Sequence, residues 1–249
     1  MPNTPAYLRI AAELRARILS GELEPGAKLP SETTLMAEYG VGRTVAKWAI
    51  SVLKGEGLVE GRAGSGVYVR EVHRLVRHAY GRDVRTGSGP TSPFARDAAT
   101  AGQHATWEHE SAHADADERI ATRLGIEPGD PVMRTDYRFL ANGEPIQLST
   151  SWEPLAITGD TSVEWPEAGA AVGVVARMDA IGIHVDEFTE RVTARPAHDD
   201  EIARLALSPR GAHVLVIERT YHAAGRAVET ADIVFPGDRY ELVYRVPVD

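Results

Sequence analysis

Two histidines and a glutamate stand at a spacing that can do chemistry: His109, Glu110 and His113, within the run WEHESAHAD at 107–115. On a helix, histidines four apart lie one turn apart on one face. They can grip a zinc ion there, with the glutamate as general base. That chemistry needs a helix through the motif and a third ligand, for which Asp117 is the nearest candidate. The surroundings argue otherwise. The run from Trp107 to Ala114 alternates as a strand does, and no glycine or third histidine follows. With nine histidines in the chain, a chance match has a probability of on the order of a few per cent. A strand also puts His109 and His113 on one face, so incidental metal binding stays open. No cofactor is expected.

The elements that must position any site can be read from charge and periodicity. The 249 residues suffice for two modest domains. Net charge is −9, unpromising for a nucleic-acid partner, but its distribution is uneven. Residues 1–85 carry a net of +4 and residues 86–249 a net of −13, and all three lysines (Lys28, Lys47, Lys54) fall in the first segment. A mildly basic head on an acidic body suggests two modules, the first of which faces an anion. Cysteine is absent, which excludes disulfides and thiolate metal sites. There is no long apolar run and no basic-then-apolar leader, so neither a membrane span nor a signal peptide is expected, and a cytoplasmic location is.

In the basic head, Ile10, Leu14 and Ile18 recur every four residues and predict a helix over 6–20. Ser31 is a natural N-cap for a second helix that Gly40 closes, although Thr34 stands where a capping box has Glu or Gln. A third helix is predicted from about Arg43 to Glu56. Ala46, Ala49, Ile50 and Leu53 fall on its inner face, and Arg43, Thr44 and Lys47 on the other, with Trp48 near the edge. Two short β segments, at 58–60 and 67–69, flank a glycine-rich tip and predict a hairpin. Three helices and a hairpin make a winged helix-turn-helix. Arg43 at a helix start can bond guanine bidentately, Lys47 can reach a base edge or phosphate, and Arg62 on the wing can contact phosphate.

The stretch LPSETTLMAEYGVGRTVAKWAISVLKGEGLVEGRAGSGVYV resembles the GntR superfamily of bacterial transcription regulators. The resemblance covers about residues 6–70. It implies DNA contacts at Ser31, Glu32, Thr33, Arg43, Thr44, Lys47, Arg62, Gly64 and Ser65. Departures are Gly42 where relatives carry Ser or Thr, Val45 where a second Thr is common, Thr33 where some use Arg, and Lys47 for a common Arg. The last loses bidentate geometry. These departures leave the docking mode but not a relative's operator sequence.

Residues 71–92 read as a linker, rich in Gly, Ser and Pro toward its end, with arginines 70, 74, 77, 82 and 85 along the approach. Beyond it the pattern is strand (from Trp107), helix (116–124), and two strands turning at Ala141-Asn142-Gly143. A short helix near 169–181 follows, then a strand at 184–195 and a helix at 198–207. Strands at 213–222, 227–234 and 240–246 complete it. This is an α+β domain with an antiparallel meander sheet. The run ADERIATRLGIEPGDPVMRTDYRFLANGEPIQLSTSW is echoed by HDDEIARLALSPRGAHVLVIERTYHAAGRAVETADIV. The echo predicts two pseudo-symmetric helix–hairpin halves with a cleft between them.

Residues 93–249 resemble the UTRA effector-binding domain of HutC-type GntR regulators, whose fold is similar to chorismate lyase. In sugar-phosphate-sensing relatives, two arginines and a glutamate hold the ligand. Those positions correspond here to Tyr137, Phe139 and Ser149. The arginine clamp is absent, which disfavours a phosphosugar. Glu229 matches a family ligand-binding carboxylate and Phe235 a nearby aromatic position. Alternation puts Met133, Thr135, Tyr137 and Phe139 on one face. Such a wall suits a neutral or cationic, partly apolar ligand. Tyr137 and Phe139 serving only as core, or a chain with no effector, are the alternatives.

Together these readings imply a double-stranded-DNA-binding repressor. It would bind an inverted-repeat operator as a homodimer and be released by a small molecule. The second reading is an enzyme with a chorismate-lyase-like or zinc-dependent hydrolytic body. Pyridoxal-phosphate-bearing relatives are much longer, and that branch is set aside.

Overall fold

A computed structural model describes residues 4–71, 74–81, 92–169, 172–208, 211–246 and 248. The described residues form two units: those of 1–73 with 208–212, and those of 74–207 with 213–249.

In the first unit, α1 (Ala6–Leu19), α2 (Glu32–Tyr39) and α3 (Arg43–Gly55) precede a hairpin of β1 (Val59–Arg62) and β2 (Gly66–Val69). The inner faces read from periodicity meet in one core: Ile10, Ala11 and Leu14 of α1, Leu35 of α2, Ala46, Ala49, Ile50 and Leu53 of α3, closed by Val59 and Val69. Ser31 caps α2, its Oγ accepting from the Thr34 N–H at 3.1 Å. Thr34 takes part through its hydroxyl, 2.7 Å from Ser31 Oγ. Gly40 ends α2 with a left-handed φ of 61°, a conformation that suits glycine. The segment around Lys28 also joins the wing: Leu29 N–H donates to Val67 O at 2.8 Å, and Val69 N–H to Ala27 O at 2.8 Å.

The second unit is built on a six-stranded antiparallel sheet. Its strands are β4 (Ala105–Asp115), β5 (Pro131–Ala141), β6 (Glu144–Pro154), β7 (Glu187–Pro196), β8 (His213–Ala223) and β9 (Arg226–Pro236), in the order β4-β5-β6-β9-β8-β7. Two three-stranded meanders therefore meet at β6 and β9; the internal echo predicts their hairpins β5-β6 and β8-β9, but the pairing of β6 with β9 joins the halves into one continuous sheet where a cleft was expected. The hairpin turns correspond: Asn142-Gly143 has φ of 51° and 82°, Ala224-Gly225 has 49° and 77°. Both are the left-handed pair that two-residue hairpins use. The bulges correspond as well. Ile146 is the extra residue opposite Phe139/Leu140, and Val228 the extra residue opposite Tyr221/His222.

Helices α5 (Glu118–Leu124) and α8 (Asp199–Arg204) cover one face. Ile120, Ala121 and Leu124 pack with Val132 and Trp152, while Leu205 packs with Leu148, Val214 and Val234. The opposite face is covered by β3 (Leu75–His78), β10 (Tyr240–Val243), α4 (Pro93–Thr100), α6 (Leu155–Thr158) and α7 (Val174–Ala180).

Part of the segment expected as linker is folded. Residues 75–78 form β3, which pairs in parallel with β10 from Tyr240↔Leu75 to Val243↔His78. Leu75 and Arg77 alternate inward and are buried, the arginine because it meets Glu190 of β7. Arg82 and Arg85 lie outside the described residues. The last strand, expected over 240–246, is shorter and stands apart from the main sheet. Helix α4 was not foreseen, although Ser92-Pro93 is a legible start: Ser92 Oγ accepts from Ala95 N–H at 3.1 Å, and Pro93 opens the helix.

Candidate DNA-binding surface and effector site

Arg43 is the first residue of α3, directly after Gly42, which supplies no side-chain cap. Its side chain is 80% exposed, and its Nε donates to Glu32 Oε2 at 2.9 Å. The first turn of α2 thus holds the guanidinium at the start of α3. Thr33, Thr44 and Lys47 are exposed beside it, as is Trp48, edge-on to Tyr7 at 5.6 Å. Ser31 instead uses its hydroxyl to cap α2.

On the wing, the Arg62 guanidinium lies over the Tyr68 ring at 4.5 Å and donates to Glu60 Oε1 at 3.1 Å. Ser65 Oγ is 2.5 Å from Tyr68 Oη, and Gly64 turns the tip with φ of +70°. Three residues missed by sequence reasoning gather here: Tyr68, Lys28 with Nζ 5.9 Å from its ring, and Lys54. A Cβ on Gly61 would stand 3.1 Å from Lys54 Nζ, so bare backbone makes room for that lysine. The confinement of all three lysines to the first segment was the available signal.

In the second unit, register places all five candidate effector residues on one face of the sheet. Tyr137 pairs with Ser149 and Ser149 with Ile233; Phe139, Glu229 and Phe235 sit at even offsets along their strands. It is the face opposite α5 and α8. The five do not share one environment. Phe235 is fully buried, 4.2 Å from the Tyr240 ring, and belongs to the core under β3 and β10. Phe139 is half-buried, stacked on Tyr137 at 5.4 Å and packed on Phe94 at 4.9 Å. Ser149 is half-buried between them and β9.

Glu229 is 1% exposed, and its Oε2 has no hydrogen-bond partner among the described residues. Burial pushes its carboxyl up to about 8, against the pull of the Arg219, Arg123 and Arg177 charges and with the push of Glu153. The pseudo-symmetric position makes the point sharper. Four residues after the glycine of each hairpin turn stand Gln147 and Glu229. Gln147 Oε1 accepts from Tyr240 Oη at 3.3 Å, so β10 satisfies that atom. Glu229 Oε2 has no such partner among the described residues.

Beside Glu229 runs an ion pair that sequence reasoning missed. Arg177 of α7 donates to both Glu153 oxygens, at 2.5 and 2.8 Å, and also to the Val163 carbonyl. Both partners are buried, and the desolvation of Glu153 outweighs the arginine and raises its carboxyl. Arg177 Nε has no partner among the described residues. Tyr137 Oη donates to Glu167 at 3.0 Å, and burial first, then that carboxylate, push its phenol up. A buried carboxyl and a buried guanidinium, each with an unmet polar atom on one sheet face, form a site able to bond a small polar ligand.

The zinc alternative fails on geometry. The motif lies on β4, not on a helix. Its histidines are four residues apart on a strand, about 13 Å, too far to share an ion. His113 Nε2 is 2.8 Å from Glu164 Oε1 and its ring stacks on Trp165 at 5.3 Å. Asp117, the imagined third ligand, caps α5, accepting from Ile120 N–H at 2.7 Å. Among the described residues no three His, Cys, Asp or Glu are grouped to hold a metal, and no helix is long and apolar enough to cross a membrane.

Comparison with known proteins assigns a family to each of the two units. Residues 6–69 match the profile of the bacterial regulatory proteins of the gntR family, and residues 101–241 match the UTRA domain. The crystal structure of a GntR-family transcriptional regulator is 49% identical, covers 99% of each chain and superposes with a TM-score of 0.70. The transcriptional repressor NagR of Bacillus subtilis is 28% identical over 96% of this chain and 94% of its own. The mannosyl-D-glycerate transport/metabolism system repressor MngR of Escherichia coli is 26% identical over 97% and 96%. The relatives are regulators, not enzymes, which removes the hydrolase and lyase reading. The chain belongs to the GntR family of transcription regulators, with a helix-turn-helix domain joined to a UTRA domain in the HutC arrangement.

Proposed function

We propose that this regulator is a cytoplasmic repressor that binds an inverted-repeat operator as a homodimer and releases it when a small molecule occupies the UTRA domain. Residues 1–70 serve DNA, and residues 93–249 serve the effector and dimerisation. The observation that carries the reading is the start of α3, where Arg43 is presented 80% exposed with Thr44 and Lys47 beside it. Such a helix start enters a major groove, where Arg43 pairs with guanine while Arg62, Gly64 and Ser65 follow the backbone. Ser31, Glu32 and Thr33 flank it, Glu32 by aiming Arg43 and Ser31 by fixing the helix. Two copies related by a two-fold axis read two half-sites. The effector meets Tyr137, Phe139, Ser149 and Glu229 on the sheet face, while Phe235, expected there from the resemblance, is core under β3 and β10. Its grip on DNA falls by its differential affinity for the two dimer geometries.

Selection of binding sites from random duplexes tests the reading, followed by titration of the best site against salt. Enrichment of an inverted repeat, with affinity falling steeply as salt rises, is expected. Enrichment of a single half-site would remove the dimer, and no enrichment would remove the repressor.

A further inference from the structure

After α6, residues 159–167 cross the aromatic end of the effector face as a strap. Two sets of contacts hold it. Val163 is buried and its carbonyl accepts from Arg177; Glu164 accepts from Asp160 N–H at 2.8 Å and meets His113, on whose ring Trp165 stacks. The second set is a single side chain. Glu167 Oε1 accepts from Tyr137 Oη at 3.0 Å, and Glu167 Oε2 accepts from Trp107 Nε1 at 3.2 Å. Among the described residues each carboxylate oxygen has one donor.

The donors are built into the sheet. Trp107 pairs with Phe139 across β4 and β5, so Tyr137, two residues from Phe139, is its diagonal neighbour on the same face. Their spacing matches the two oxygens of a carboxylate. Phe139 backs both rings, 5.4 Å from Tyr137 and 6.4 Å from Trp107, with Phe94 behind it. The donors thus stand on an apolar wall, and the Arg177 charge acts on Tyr137 from the side. Glu167 itself is exposed, and the strap stays anchored at Val163 and Glu164 without it.

We propose that Trp107 and Tyr137 form a receptor for the carboxylate of an effector with an apolar body, and that Glu167 occupies this receptor until the effector displaces it. The proposal rests on the effector reading above and differs from the sequence expectation of a neutral or cationic ligand. Tyr137 was legible there; Trp107 as its partner, and the aim of the indole N–H and phenol O–H at one point, were not. An acceptor-only carboxylate satisfies both donors in a charge-assisted way, whereas an ammonium group satisfies neither. A cation would instead seek Glu167 itself.

The chain has four tryptophans, hence four indole N–H signals in a proton–nitrogen spectrum, and Trp107→Phe identifies the relevant one. Acetate, benzoate, benzamide and benzylamine are titrated into the full-length protein and into Glu167→Ala. Benzoate and acetate are expected to shift the Trp107 signal, at least tenfold more tightly in Glu167→Ala than in wild type. Benzamide and benzylamine should not, and Tyr137→Phe in the Glu167→Ala background should abolish the gain. Equal carboxylate affinity in wild type and Glu167→Ala, or no shift in either, overturns the receptor. So does benzylamine binding that Glu167→Ala removes, which makes Glu167 a cation ligand. Binding of the selected duplex is followed in the same samples. A carboxylate that shifts Trp107 without releasing DNA sustains the receptor and overturns its role in effector response.

Discussion

Replacing Glu229 with glutamine should make the protein more stable, by an amount set by pH. The carboxyl is 1% exposed, its Oε2 is unpartnered among the described residues, and burial lifts it from 4.5 to about 8. Between those values the folded chain keeps a proton that the unfolded chain has released. Stability therefore falls as pH rises through this window and levels off above about 8. At pH 7, about 2.5 pH units above the unfolded value, the loss is on the order of 3 kcal/mol, taking 1.36 kcal/mol per unit. Glutamine has the same shape and no ionised form, so it recovers that loss. Urea unfolding of both proteins should show a gap near zero at pH 4.5, on the order of 3 kcal/mol at pH 7, and constant beyond pH 8.5. A gap that does not change with pH would refute the buried, unpaired carboxyl as its source. The same variant should lose its response to effector, since a stabilising change at a binding site commonly removes function.

Arg43→Ala should weaken operator binding by about 1–3 kcal/mol in fluorescence anisotropy and relax one base position of the site; unchanged affinity refutes the docking of α3. Ser31→Ala should cost the first unit about 1 kcal/mol in urea unfolding, because the Thr34 N–H loses its acceptor. Arg177→Met strands Glu153 in the interior and should cost about 3–5 kcal/mol, with Glu153→Gln in the same chain recovering part of it. Ala224→Asn should raise thermal stability by about 1 kcal/mol, since alanine holds a left-handed φ of 49° where the twin turn has Asn142.

The helices of the first unit were legible because each carries its own signals. Apolar spacing marks the inner faces of α1 and α3, Ser31 and Gly40 bracket α2, and packing followed the pattern. The two hairpins of the second unit were legible through repetition, each with its glycine turn, while the matching bulges and the β6–β9 pairing appear only on folding. What local pattern could not supply was pairing between distant segments. Four residues at 75–78 carry no strand signal until 240–243 lies beside them, and Arg77 reads as a solvated linker charge until Glu190 meets it. The candidate site divides in the same way. Tyr137, Phe139 and Glu229 follow from alternation and resemblance. Arg177, Glu153 and Glu167 come from α7, β6 and the strap, and only folding brings them to the same face.

The twin hairpins have a consequence for how such a sensor can change. A symmetric pair of separate chains must keep two identical pockets, and any substitution strikes both at once. Here the halves are fused, so Gln147 and Glu229 answer to different demands. The Gln147 amide is held by Tyr240, whereas Glu229 Oε2 has no partner among the described residues, so the second position can change with less loss to the fold. On the effector reading proposed above, grafting a Tyr240-like contact onto the Glu229 side would silence the response, and removing Tyr240 from the Gln147 side would bare a second polar atom on an unaltered backbone.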